Sequence, residues 1–228
     1  MVRLYLFAEG QTEQTFANIL LKSHLSQYQV YMQNPVLTAH AKKKGRVHRG
    51  GGKYLPLKND ILRFLRQEKK TDVYFTTMID LYALHPEFPG LKQSEHMRQN
   101  PVQRVEFLEQ CFWEDIGDQR FIPYLQLHEY EAYLFSDPTC FQDIDDTRRD
   151  AVEALKTIAA QYSTPELIDE GQDTAPSKRI ISHFPGYGKA KSVFGPLLAE
   201  RVGLQTIRKK CPHFSRWLSR LESLNEKL

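Results

Sequence analysis

A chain of 228 residues, 41% apolar and 11% aromatic, has the material for one large core or for a domain with a substantial extension, which excludes disorder as the default. Its 31 basic and 28 acidic residues leave a net charge of +3, a balance that neither demands nor excludes a polyanionic partner. No apolar run reaches the length of a membrane span, Leu4–Ala8 stops at Glu9 too early for a secretory leader, and Cys111, Cys140 and Cys211 never adopt C-x-x-C spacing. The expectation is a cytoplasmic protein with neither a disulfide framework nor a cysteine zinc site.

In chain order, Val2–Ala8 is β-branched, aromatic and apolar on both faces, as a buried strand would be. Thr12–Ser26 carries a helical stripe at Phe16, Ile19, Leu20 and Leu21, and Thr12 can cap its start. Val30–Thr38 reads as a strand, residues 40–56 as a basic loop around Gly50–Gly52, and Leu57–Gln67 as a helix. Val73–Ile79 is a strand ending at Asp80, and Pro86 and Pro89 keep residues 81–100 irregular. Pro101 opens a helix to about Ile116, and Phe121–Leu127 is the last strand, running into His128-Glu129-Tyr130-Glu131. From Thr147 onward the periodic segments 147–162, 176–184, 196–203 and 206–224 are all helical. This order predicts an α/β fold: a mostly parallel sheet with helices on both faces in residues 1–140, and a C-terminal helical cap, 141–228, packed on it.

Ligands of open α/β sheets bind beyond the carboxyl ends of the strands. Three expected strands end in acids: one at Glu9, one at Asp80, one at Glu129 and Glu131. If those strands are neighbours, the carboxylates converge and raise one another's pKa unless a cation holds them. Mg²⁺ takes one or two carboxylates with water and phosphate oxygens. Two such ions roughly 3.5–4 Å apart clamp the attacking and leaving oxygens of a phosphodiester. Gly10, directly after Glu9, lets the backbone turn sharply into a helix and lets a phosphate approach. Glu13 falls in the first helical turn, where the dipole alone favours an acid, so cap and metal ligand are equal readings. Period-two alternation would put Glu129 and Glu131 on one face and His128 and Tyr130 on the other.

Other motifs fail. His128-Glu129 begins an H-E-x-x-H zinc motif, but Ala132 stands where the second histidine belongs. Gly188-Lys189 lacks both ends of a P-loop, with His183 and Ala190 in the wrong places. Histidines are scattered without metal spacing, and Phe16, Phe64 and Phe107 fall at helical core positions. Lys42, Lys43, Lys44, Arg46, Arg49 and Lys53 beside three glycines can track a phosphate backbone or simply be solvated. Lys178–Arg179 and Lys189–Lys191 are alternatives for the same task.

The runs Glu9-Gly10-Gln11-Thr12-Glu13, Met78-Ile79-Asp80-Leu81-Tyr82 and Gln126-Leu127-His128-Glu129-Tyr130-Glu131-Ala132 resemble the bacterial family known as domain of unknown function 4276. Thr174-Ala175-Pro176-Ser177-Lys178-Arg179-Ile180 and Cys211-Pro212-His213-Phe214 extend the resemblance over nearly the whole chain. That family is grouped with Toprim-like folds, the catalytic module of topoisomerases, primases and OLD-family nucleases. A Toprim site binds Mg²⁺ through a glutamate followed by glycine and through an Asp-x-Asp after a later strand. By this resemblance Glu9 and Asp80 are metal-binding positions, and Tyr82 stands where the second aspartate would be. A phenol, with a pKa of about 10, is a poor Mg²⁺ ligand. Glu129 or Glu131 would then supply the missing charge, and Glu13 is similar to a second glutamate of OLD-type nucleases. Relatives in this fold act in phage defence beside an ABC-type ATPase.

The reading is therefore a Mg²⁺- or Mn²⁺-dependent nuclease of DNA or RNA, a bacterial defence effector working beside an ABC-type ATPase. Glu9, Asp80 and Glu131 form the catalytic set, with Glu9 doubling as general base; Glu9, Glu13, Asp80, Glu129 and Glu131 are the candidate metal ligands. Lys43, Arg46, Arg49, Lys53, Lys178, Arg179 and Lys189 are the candidate nucleic-acid contacts. Nucleic acid and the ATPase are the expected partners, a homodimer is compatible, and no membrane is involved. The alternative is a catalytically degenerate Toprim-like module that binds nucleic acid or an ATPase without cleaving. A tyrosine nucleophile of topoisomerase type is a further rival, though nothing marks one tyrosine among the eleven.

Overall fold

The computed structural model describes residues 1–43, 46–49, 53–168, 171 and 173–227. Strand β1 (Val2–Ala8) alternates cleanly: Val2, Leu4, Leu6 and Ala8 enter one apolar cluster, while Tyr5 and Phe7 face another. The helical stripe that follows forms one continuous rod, α1 (Gln11–Phe16), a π-helical turn (Ala17–Leu21) and α2 (Lys22–Ser26). The single strand expected over Val30–Thr38 is two pieces, β2 (Val30–Met32) and β3 (Val36–Leu37), both pairing parallel with β1. Pro35 between them has no N–H to give a ladder.

The loop expected over 40–56 is corrected. Strands β4 (Ala39–Lys43) and β5 (Arg46–Arg49) form an antiparallel hairpin, and α3 (Tyr54–Gln67) begins inside the same stretch. Charge made the segment read as loop, but a two-stranded ribbon is held by backbone bonds and needs no apolar alternation. Lys43, Arg46 and Arg49 belong to this hairpin by their backbone. Their side chains, together with Lys44 and Gly50–Gly52, lie outside the described residues.

Strand β6 (Val73–Asp80) runs parallel to β1 from Arg3↔Val73 to Ala8↔Met78. Residues 81–100 hold only 3₁₀ turns, Leu81–Ala83 and Gln93–Met97, as the prolines imply. Helix α4 (Pro101–Ile116) is capped by Asn100, whose side chain accepts from Gln103 N–H at 3.2 Å, and stops at Gly117 with φ of 70°. The last expected strand is again split by a proline, Pro123, into β7 (Phe121–Ile122) and β8 (Leu125–Gln126), both parallel to β6. The sheet order is β2-β1-β6-β7, with β3 continuing one edge and β8 the other.

Beyond the sheet come α5 (Arg149–Ala160), α6 (Pro176–His183), α7 (Lys191–Val202), α8 (Leu204–Lys210) and α9 (Pro212–Glu222). The helix expected over 206–224 is broken at Pro212, and the helix expected over 196–203 starts earlier, at Lys191, with Pro196 inside it. Helices cover both faces. Tyr54, Leu57 and Ile61 of α3 and Val105, Leu108 and Phe112 of α4 pack with Phe7, Phe75 and Phe121. On the opposite face Phe16, Leu198, Ile207, Phe214 and Leu218 pack with Leu4, Leu6 and Met78, so the C-terminal helices bury the sheet directly. Among the described residues no helix is long and apolar enough to cross a membrane.

Candidate functional site

The chain leaves β1 toward β2 on one side and later adds β6 on the other, which makes the carboxyl ends of β1 and β6 the topological switch point of the sheet. Glu9 and Asp80 stand there. The Asp80 backbone N–H donates to Glu9 Oε2 at 2.9 Å. Gln126 at the end of β8, opposite Asp80 in register, donates its Nε2 to Asp80 Oδ1 at 2.5 Å. The amide's other end, Gln126 Oε1, is buried without a hydrogen-bond partner.

Alternation across 128–131 does not hold. Strand β8 ends at Gln126, the backbone bends at Leu127–His128, and after Glu129 it winds into a 3₁₀ helix (Tyr130–Ser136), because Tyr130, Tyr133 and Leu134 all bury there. The two glutamates consequently part. Glu129, half-buried, accepts from Ser177 N–H at 2.9 Å in the first turn of α6, whereas Glu131, only 2% exposed, turns inward. There Glu131 Oε1 lies 3.2 Å from Lys191 Nζ and accepts from Tyr187 Oη at 3.3 Å. Gly195, one turn beyond Lys191, lets α7 come this close: a Cβ on it would meet Tyr187 Oη at 3.1 Å and Thr12 and Tyr130 at 3.2 Å.

Glu13 is both cap and pocket residue. It is buried, and its Oε2 accepts from Gly10 N–H at 2.9 Å. The chain does turn sharply at Glu9–Gly10, from β1 ending at Ala8 into α1 starting at Gln11, but φ of −139° and ψ of −176° at Gly10 are open to any residue. What favours glycine there is the Glu13 carboxylate, whose Oε2 lies 3.0 Å from where a Cβ would sit.

Each acid feels the others. Burial, followed by Glu9, Glu13, Glu131 and Glu129, holds Asp80 well above the usual carboxylate range. Burial also raises Glu9, with Glu129 adding to it and the Asp80 N–H and Lys191 opposing. Glu13 is pushed up to about 7 by burial and by the charges of Glu9 and Glu131. Glu131 is raised by burial even against Lys191. Burial alone would lower Lys191, but Glu131, Glu129 and Asp80 outweigh it and keep the ammonium charged.

Five carboxylates against one lysine, plus an amide oxygen left unspent, are hard oxygen donors in excess, and in kind they suit a divalent cation such as Mg²⁺ or Mn²⁺. Among the described residues, however, no three His, Cys, Asp or Glu side chains are grouped tightly enough to hold a metal ion as they stand. Tyr82 does not join the acids. It is 55% exposed, facing away on the turn after β6.

The basic candidates come from three separate parts of the chain. Lys53 is exposed ahead of α3, and Lys178 and Lys189 are exposed near the starts of α6 and α7. Arg179 is spent internally: its Nε donates to Thr174 O at 2.6 Å, a second nitrogen to Tyr162 Oη at 3.1 Å, and its guanidinium lies over the Tyr162 ring. Gln126, Tyr187 and Ser177 enter the site without having been singled out from the sequence, and Lys191 stood only within a basic run. The one local signal was register, because Asp80 and Gln126 end strands that pair.

Fold and site together define an α/β protein with a parallel sheet and a cluster of acids at its switch point. The chain belongs to the family described as Domain of unknown function (DUF4276), which matches residues 8–222. Among solved structures it is similar to the C-terminal region of the Burkholderia pseudomallei OLD protein, with 16% identity, 98% of each chain covered and a TM-score of 0.46. The C-terminal region of the Xanthomonas campestris pv. campestris OLD protein is similar at 13% identity and a TM-score of 0.43, covering 100% of this chain and 98% of that one. No curated protein matches the sequence.

Proposed function

We propose that the protein is a divalent-metal-dependent nuclease. The observation that carries this reading is the electrostatic deficit at the switch point: Glu9, Glu13, Glu129 and Glu131 all act on Asp80, Lys191 is the counter-charge seen among the described residues, and Gln126 keeps an oxygen free beside Asp80. Glu9 and Asp80 would hold Mg²⁺ or Mn²⁺, with Glu131 or Glu129 completing the shell. When bound, the ion supplies Lewis-acid polarisation of a phosphate and neutralises charge that develops on its oxygens. Gln126 orients Asp80, and Glu9, with its raised pKa, is suited to take a proton from the attacking water. Lys191, kept protonated by the acids around it, would face a phosphate oxygen from its place beside Glu131.

Residues 1–140 would carry most of this chemistry, with 141–228 covering one sheet face and lending Ser177 and Lys191. Lys43, Arg46, Arg49, Lys53, Lys178 and Lys189 would guide the strand. A defence role beside an ABC-type ATPase rests on the family resemblance alone. The test incubates labelled DNA and RNA with the protein in Mg²⁺, Mn²⁺ or chelator, and follows its melting temperature in each. Cleavage that Glu9→Gln and Asp80→Asn abolish, with a metal-induced rise in melting temperature that both variants lose, supports the reading. A chain that cuts neither polymer and melts identically with and without metal overturns it.

Binding without cleavage is the second reading. Its support is the outward Tyr82 and the lack, among the described residues, of three acids grouped for an ion. A gel shift that survives chelator, with no cleavage under either metal, would favour it.

A further inference from the structure

Just beyond Asp80 in the chain lies a cleft of about 420 Å³ lined by Leu81, Tyr82, Leu84 and Leu91 and by Arg98, Arg104 and the carboxylate they share, Glu95. We infer that this cleft is a subsite for one unstacked nucleotide of a single-stranded nucleic acid, its base on the Tyr82 ring and its phosphate on Arg98 and Arg104. The inference deepens the nucleic-acid reading above and rests on it for the identity of the polymer.

Tyr82 follows Asp80 by two residues, so their Cα atoms are at most roughly 7 Å apart, and a strand engaged at the acids must pass this cleft. Leu81, 7% exposed, anchors the turn in the core, which leaves the Tyr82 ring presented outward at 55% exposure. A tyrosine ring has only two side-chain torsions to fix, so stacking on a base costs it little freedom. Charge supplies the second half of the argument. Arg98 Nε donates to Glu95 Oε2 at 2.7 Å, while Arg104 donates to Glu95 Oε1 at 3.0 Å and to Ser94 Oγ at 3.2 Å. Two guanidiniums with five donors each thus share a single carboxylate, leaving net positive charge toward a phosphate. A duplex keeps its bases stacked on each other, so an exposed ring recognises a single strand.

The experiment measures fluorescence anisotropy of a labelled oligothymidylate and of a duplex hairpin in chelator, where cleavage cannot enter. Tyr82→Ala should weaken single-strand binding roughly 10-fold, and Tyr82→Trp should restore it, while duplex binding stays unmoved. Arg98→Glu should weaken the single strand and flatten its salt dependence. Because these side chains are partly exposed, unchanged melting temperatures check that the variants fold. Equal single-strand binding by the unchanged chain and Tyr82→Ala overturns the inference, and so does an unchanged chain that binds no single strand. Tyr82-dependent binding without cleavage under any metal would remove the nuclease reading and leave the subsite standing. Metal-dependent cleavage with binding indifferent to Tyr82 would do the reverse.

Discussion

Two sets of buried and half-buried acids flank the same sheet and are treated differently. Glu166, 4% exposed, accepts from His213 N–H at 2.9 Å and from Phe214 N–H at 2.8 Å, closing the start of α9. Beside it Glu109 Oε1 takes Leu125 N–H at 2.8 Å and His213 Nε2 at 3.0 Å. Every acid there has donors, and they stitch α4, α9 and β8 together. At the switch point each carboxylate has fewer donors and more acidic neighbours: Asp80 has one amide donor, Glu9, Glu13 and Glu129 one backbone N–H each, and Glu131 shares Lys191 and a tyrosine. Buried acids with donors to match them are architecture. Buried acids in surplus store repulsion that a fold keeps only where a cation or a reaction uses it.

Substitutions should separate the two sets, and the largest effect belongs to the surplus acids. Asp80→Asn is expected to lower cleavage roughly 100-fold or more, since a Lewis-acid site is worth several kcal/mol. The same change should raise the melting temperature in chelator, by roughly 2–4 °C for about 1 kcal/mol of relieved repulsion. A melting temperature that falls instead would place Asp80 among the architectural acids.

Glu166→Ala should do the opposite. It leaves two buried N–H groups without acceptors, for a loss of about 3 kcal/mol in urea unfolding, with the metal-induced shift intact. Lys191→Met is the intermediate case. Removing the pocket's own cation should lower the melting temperature in chelator, and added Mg²⁺ should recover more stability than in the unchanged chain. An equal Mg²⁺ gain in both would show that the lysine and the ion do not share the same charge.

The smallest effect is a pH slope from His213. Burial lowers its pKa, but the Glu109 bond, the Glu109 charge and the Glu166 charge outweigh burial and the opposing Arg216, leaving it raised above 6.5. Its contribution is therefore whole below 6.5 and is lost as pH climbs through the higher folded value. Unfolding free energies between pH 5.5 and 8.5 should fall less steeply in His213→Asn than in the unchanged chain. Identical slopes would mean that the proton is held equally in both states.

Local sequence was a good guide wherever one periodicity dominated. Val2–Ala8, Val73–Asp80 and Pro101–Ile116 are elements with bounds at or within a residue of those expected, because apolar alternation or a proline-opened helical stripe has a single solution. Pro35, Pro123 and Pro212 cut elements that hydrophobic pattern alone had joined, and the hairpin at 39–49 carried no apolar signal at all. In the site, the acids at strand ends were legible because sheets of this kind expose their carboxyl edges. The separation of Glu129 from Glu131 was not, since it depends on where the following tyrosines find a core.

By itself the sequence determined the alternating strands and helices, the parallel sheet, and that Glu9 and Asp80 stand where β1 and β6 end, for these follow from side-chain periodicity over a few residues. Only the tertiary structure decided that Gln126 spends one end of its amide on Asp80, that Gly195 admits α7, and that Lys191 arrives from far along the chain to face Glu131. Such contacts depend on packing between distant segments, which no local pattern encodes.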